Sequence, residues 1–287
     1  MLGILLIDKP LGITSHDVVN QVRRKLNTKR VGHAGTLDPA ATGLLIVAVG
    51  PATRFLQYLP LEPKVYVGDV TFGIKTTTQD SEGEVVESGD VPEDLEGLVR
   101  AALPQFLGLI DQLPPMYSAI KKAGKPLYAY ARKGEEVERT ARTIHIDSIA
   151  IEAVNGPTVT IRVVCSGGTY LRTLAHDLGD AIGCGAYLSA LNRVAVGKFE
   201  LPDAIPLSEV SPEHLMPLAD ALPPMPLVEL DVAQAADIRE GRALVVMGAP
   251  ETEFVGLLLG GSVIGIAKVS ENILQPECVI PVLAFAG

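Results

Sequence analysis

Hydrophobic positions along the chain change period several times, which marks a succession of short strands and helices. Met1 to Lys9 carries the continuous apolar run Ile4-Leu5-Leu6-Ile7, the length of a short buried strand. Thr14 or Ser15 can then cap a helix in which Val18, Val22 and Leu26 recur at helical spacing and Arg23, Arg24 and Lys25 stay outside. Leu44 to Gly50 is a second apolar run bounded by glycines and predicts a strand buried on both faces. From Lys64 to Ile74 the period is two, with Tyr66, Val70, Phe72 and Ile74 on one face, so Tyr66 points inward. Thr76 to Gly83 is a polar turn, Pro92 to Phe106 a helix, and Leu127 to Lys133 a short helix stopped by Gly134. Val159, Ile161, Val163 and Cys165 alternate as a strand leading into Ser166-Gly167-Gly168-Thr169-Tyr170-Leu171-Arg172. Leu174, Leu178 and Ile182 predict a helix ending at Gly183. If the junction between them is extended, Tyr170 and Arg172 share a face.

After Val196 the texture changes. Prolines at 202, 206, 212, 217, 223, 224 and 226 leave no room for long regular elements, as in an interdomain connection. The short apolar runs Val255 to Leu259 and Val263 to Ala267 then predict a small β-rich domain. The expected division is 1–224 and 225–287.

A chain of 287 residues, 47% apolar and 20% charged, belongs to the soluble globular class and can bury a sizeable core. No apolar stretch reaches the length of a membrane span, and the first strand meets a charge too soon for a signal peptide. Cys165, Cys184 and Cys278 are far apart, which indicates neither a disulfide framework nor a zinc site and fits a reducing cytoplasm. The net charge of −10 comes from residues 200–287, with 13 acidic against 3 basic residues; the preceding part balances at 21 and 21. Within that neutral part Arg23, Arg24, Lys25, Lys29 and Arg30 form one basic group, and Lys121, Lys122, Lys125, Arg132 and Lys133 another. Such grouping allows a local positive surface facing phosphates, although a solvated helix face is the commoner meaning of a charge cluster.

Chemistry concentrates at Gly32-His33-Ala34-Gly35-Thr36-Leu37-Asp38-Pro39-Ala40-Ala41-Thr42-Gly43, where one acid stands among three glycines, three alanines and a proline. Low bulk lets the backbone turn tightly and a large partner come close. Taken singly, an Asp-Pro turn and a surface arginine account equally well for Asp38 and Arg172, and a core tyrosine and a loop histidine are the commoner meanings of Tyr66 and His33.

Their order and spacing change that. Asp8-Lys9-Pro10, the Gly32 to Gly43 run, Lys64-Val65-Tyr66, Pro115-Met116-Tyr117-Ser118-Ala119 and Ser166 to Arg172 together resemble the TruB family of tRNA pseudouridine synthases over residues 1 to about 200. The remainder loosely resembles the small PUA domain that this family often carries. The resemblance implies an α+β fold with a central mixed, mainly antiparallel sheet. It also implies isomerisation of the T-loop uridine of tRNA, position 55, through base flipping, C1′–N1 cleavage and C1′–C5 reattachment. Asp38 matches the essential aspartate, which attacks C1′ or removes the C2′ proton. Arg172 matches the arginine that pairs with it, and Tyr66 the tyrosine that stacks on the target base. His33 matches the histidine that supports the flipped-out state; Tyr170, Lys9 and Leu191 match residues lining the same cleft. Gly167 departs from the family, whose members often carry lysine or another larger residue there. No cofactor or metal is required, because atoms are only rearranged. The T-arm stem-loop of tRNA is the expected partner, with no membrane, no obligate protein partner and a monomeric state. Two other readings are a tRNA-folding chaperone using the same cleft and a phosphate-cradling α/β enzyme. The second lacks a Gly-Lys-Ser/Thr sequence after its glycines.

Overall fold

In a computed structural model, residues 1–281 are described apart from Ala119, Ala123, Arg132 and Glu136. Arg132 of the second basic group and Ala119 of the Pro115 motif therefore lie outside the described residues.

Strands β1 (Gly3–Lys9) and β3 (Ala41–Val49) pair antiparallel from Gly3 opposite Val49 to Lys9 opposite Gly43. Both are buried on both faces, which is why each reads as an unbroken apolar run rather than an alternation. Helix α1 (Ser15–Lys25) starts at Thr14, whose hydroxyl accepts the Asp17 N–H at 3.0 Å while the Asp17 carboxylate accepts the Thr14 N–H, a reciprocal cap. Arg23, Arg24 and Lys25 fall in its last turn, where cations favour the helix dipole. Between α1 and β3 the chain forms β2 (Val31–Ala34), which pairs back onto β3. The Asp38 run is thus a hairpin, with only Gly35 to Ala40 as its tip.

Strand β4 (Lys64–Phe72) buries Tyr66, Gly68, Val70 and Phe72 on one face. It ends two residues before the expected Ile74, because Gly73 at φ +93° turns the chain into a separate short hairpin. The helix expected from Pro92 is shorter: α2 (Leu95–Ala102) is capped by Asp94, and a 3₁₀ turn around Pro104 carries the chain to Phe106. Strands β5 (Gly108–Gln112), β6 (Arg142–Asn155) and β7 (Thr158–Cys165) follow. The short helix near 127 spans Leu127–Ala131. Helix α3 (Leu171–Ile182) ends at Gly183 in the left-handed region, as the periodicity predicted. It begins at Leu171, however, so Tyr170 is its cap and Arg172 lies in its first turn. They do not share an extended face.

Strand β8 (Ala186–Val196) runs on into short β9 (Phe199–Glu200) and β10 (Ile205–Pro206). Among the described residues the main sheet has ten strands in the order β10-β1-β3-β8-β4-β7-β6-β5, with β2 on β3 and β9 on β8. Only β1–β10 and β3–β8 are parallel, so the sheet is mixed and mainly antiparallel. Helices α2 and α3 cover one face, over a core that includes Val70, Phe72, Ile161, Leu174 and Leu178.

The proline-rich stretch is a series of 3₁₀ turns and one short helix, Leu218–Ala221. A second sheet follows, of β11 (Leu227–Glu229), β12 (Leu244–Val245), β13 (Phe254–Leu259), β14 (Ser262–Ser270) and β15 (Ile273–Val279), ordered β11-β13-β14-β15-β12. Its face bearing Val255, Leu257, Ile264 and Leu274 packs on helix α4 (Val232–Arg239) through Ala235 and Ile238. Val263, Ile266 and Cys278 join Ile4, Leu6, Phe55 and Phe199 in one shared core. No helix among the described residues is long and apolar enough to cross a membrane.

Candidate active site

Asp38 stands at the tip of the β2–β3 hairpin, and three anchors hold that tip. Buried Ser15, at the start of α1, accepts the Leu37 N–H at 2.8 Å and donates to the Leu37 carbonyl at 3.1 Å. The fully buried Lys9 ammonium donates to the Pro10 and Ile13 carbonyls at 3.0 and 2.8 Å. That fixes the turn in which the Gly12 N–H holds the Pro39 carbonyl at 2.9 Å. Arg193, also fully buried, donates to the Leu44 and Gly35 carbonyls at 2.8 and 3.1 Å. Gly43 permits the last contact: it sits at φ +98°, and a β-carbon there would lie 2.4 Å from the Arg193 carbonyl oxygen.

Helix α3 delivers Arg172 to this tip. Its guanidinium forms an ion pair with Asp38 at 2.8 Å, donates to the Tyr117 carbonyl at 2.8 Å and to Asp80 at 3.2 Å. Arg172 is buried, whereas the Asp38 side chain remains 44% exposed toward the cleft. The carboxylate is therefore open to a ligand from one side and held from the other. Burial pushes its carboxyl above the ordinary aspartate value; Arg172 and Lys9 oppose that rise and Asp80 adds to it. Arg172 does not prevail, because the desolvation of the carboxylate is the larger effect.

Asp80 was missed by sequence reasoning. It lies in the polar Thr76 to Gly83 turn, where no periodicity or glycine pattern singles it out. In the fold it is buried, accepts the Glu82 N–H at 3.0 Å and bonds the Thr78 hydroxyl. Gln112 was missed too: its amide clamps the Tyr170 backbone with bonds of 3.0 and 2.7 Å, setting where α3 begins.

A cavity of about 260 Å³ opens at Asp38 and is lined by Lys64, Tyr66, Tyr170, Arg172 and Leu191. Tyr66 is buried in the core beneath it, and burial raises its phenol above the usual range. Leu191 also borders a larger cleft of about 540 Å³ on its other side, alongside Leu11, Pro39, Asp69 and Asn192. The structure thus brings Asp38, Tyr66, Tyr170, Arg172 and Leu191 to one cavity. His33 and Lys9 do not line it. His33 lies on β2 opposite Val47, with a buried Nδ1 that has no partner among the described residues. Desolvation, then Arg193, lowers its proton affinity. The Lys9 ammonium is spent on carbonyls, and burial lowers its pKa to about 8. No cluster of His, Cys, Asp and Glu among the described residues could hold a metal ion.

The same fold occurs in a chain of an H/ACA ribonucleoprotein bound to a substrate RNA containing 2′-deoxyuridine, with a TM-score of 0.70 and 26% identity over 97% of this chain and 85% of that one. It occurs again in the archaeal box H/ACA Nop10–Cbf5 complex, with a TM-score of 0.69 and 26% identity over 97% and 86%. Residues 23–171 match the model for the N-terminal domain of TruB family pseudouridylate synthases, and 172–224 that for the tRNA pseudouridylate synthase B C-terminal domain. The fold is that of the pseudouridylate synthase class. Within it the chain belongs to the TruB family. It is 43% identical to tRNA pseudouridine synthase B of Burkholderia mallei over 96% of this chain and 95% of that protein. Against the Cupriavidus pinatubonensis protein of the same name the identity is 44%, over 96% and 93%.

Proposed function

We propose that the protein is a tRNA pseudouridine synthase that isomerises the T-loop uridine, position 55, without a cofactor. The observation that carries this reading is the Asp38–Arg172 pair at 2.8 Å, open to a cavity that Tyr66 also lines. The cavity is on the scale of a single nucleoside and not of a duplex, so the target nucleotide leaves its stack to enter it, and the Tyr66 ring supplies a replacement face. The N1–C1′ bond then breaks, the uracil turns, a C5–C1′ bond forms, and the C5 proton is lost as N1 gains one. Asp38 serves either by attacking C1′ or by taking the C2′ proton; deuterium at C2′ slows only the second route. Arg172 fixes the carboxylate's direction and favours its ionised form.

The exposed cations Arg24, Lys25, Lys29 and Arg30 near the end of α1 offer phosphate contacts that the acidic C-terminal part does not. A monomer acting without an obligate protein partner belongs to the same reading, with residues 1–224 as the catalytic unit. The test is to incubate the protein with an unmodified tRNA transcript and map pseudouridine along it. Modification at position 55 alone is expected; modification elsewhere would keep the chemistry and remove the specificity.

A further inference from the structure

The cations beneath the cavity are not alike. Lys9 and Arg193 each donate to two backbone carbonyls, and neither lines the cavity. Lys64 is the first residue of β4, on the inward face with Tyr66, and its side chain forms no hydrogen bond or ion pair among the described residues. Lys64 nevertheless lines the Asp38 cavity. Two glycines flank it: β-carbons built on Gly167 and Gly35 would lie in van der Waals contact with the Lys64 nitrogen, at 3.5 and 3.6 Å. Glu62, an acid close enough to act on it, is engaged with the Gly167 N–H at 2.9 Å. Gly168 and Thr169 line the same cavity, their N–H groups have no acceptor among the described residues, and Gly168 turns the chain at φ +86°. A half-buried ammonium and two free N–H donors around one cavity are the groups that an anion requires.

We propose that Lys64 binds the phosphodiester adjoining the uridine that enters the Asp38 cavity, with the Gly168–Thr169 backbone completing the contact. The inference rests on the function proposed above, since the phosphodiester is the anionic group an RNA brings to this depth. A compact ammonium suits a phosphate as a point charge, whatever the base beside it. Burial and the neighbouring Arg193 charge lower the proton affinity of Lys64, a cost that an incoming phosphate offsets.

The test uses T-arm RNA hairpins carrying either the natural linkage or a neutral methylphosphonate immediately 5′ or 3′ of the target uridine. Binding is measured on the full chain in an Asp38→Asn background, so that the RNA is not turned over. With Lys64 present, one of the two methylphosphonates should weaken binding about tenfold. With Lys64→Met the same replacement should change affinity less than twofold, and the slope of log affinity against log salt should fall by about 0.7 to 0.9. Lys64→Arg should restore part of the discrimination. If Lys64→Met discriminates between the RNAs as strongly as its parent at both linkages, the proposal is overturned. A merely structural loss would give that result, because it weakens all RNAs alike. Parallel turnover of the natural hairpin by the unaltered protein tests the isomerase reading separately.

Discussion

Arg172 holds two carboxylates with one guanidinium, yet burial outweighs it in setting how Asp38 titrates. Both routes need the Asp38 anion, and burial has raised its carboxyl above the ordinary 3.8. The single-turnover rate should therefore fall as pH drops through a value higher than that of a free aspartate. Asp80→Asn removes the nearby charge that adds to the rise, so this acid limb should move to lower pH. The rate at neutral pH should drop about tenfold to a hundredfold, because Arg172 loses the partner that aims it. Stability carries the opposite sign. The folded chain holds the Asp38 proton more tightly than the unfolded chain, so stability declines as pH rises from 3.8 through the folded value. Asp38→Asn should then unfold at a higher temperature than the unaltered protein at pH 7, while losing its activity. Asp38, Tyr66 and Arg172 were legible as a set through their motifs. Asp80 was not, since a buried acid in a polar turn looks like any solvated one until the fold closes over it.

The hairpin tip works because β3 and β8 approach closely, and that approach depends on Gly43. A β-carbon there would lie 2.2 Å from the Asn192 side-chain oxygen, at a φ that other residues adopt only with strain. Gly43→Ala should cost at least about 2 kcal/mol and reduce turnover, because the Arg193 contact to Gly35 shifts. Gly156 is the control: it has positive φ and nothing within 4 Å of a β-carbon. Gly156→Ala should cost only about 1–2 kcal/mol and leave turnover unchanged. Denaturant unfolding and single-turnover rates measure both. Lys9 gives a further sign. Its pKa of about 8 against 10.5 in the unfolded chain means that the unfolded state holds more protons between those values. The Lys9 contribution to stability therefore rises with pH across that window, and Lys9→Met should remove the rise. Strand periodicity announced β1, β3 and β4 well. Where Leu171 starts α3 was not visible, because Gln112, far away in sequence, sets it.

Across the whole molecule, the C-terminal sheet shares a core with the ten-stranded one. Ile266 and Ile280 are buried in the same cluster as Ile4 and Phe55. Removing residues 225–287 should therefore lower the unfolding midpoint of the remaining sheet as well as any RNA affinity. Ile266→Ala alone should cost about 2–5 kcal/mol in denaturant unfolding. The proline-rich texture revealed the change of architecture after Val196. It could not reveal the shared core, because Val263 and Ile266 carry no sign of which sheet they will meet. The central claim is that this fold exists to present Asp38 to one flipped uridine of tRNA. Release of tritium from C5 of uridine in an unmodified tRNA transcript tests it most directly. The unaltered protein should release one equivalent per tRNA, and Asp38→Asn should be slower by about 10³-fold or more while still binding the RNA. No release by the unaltered protein, or equal release by Asp38→Asn, would contradict the account.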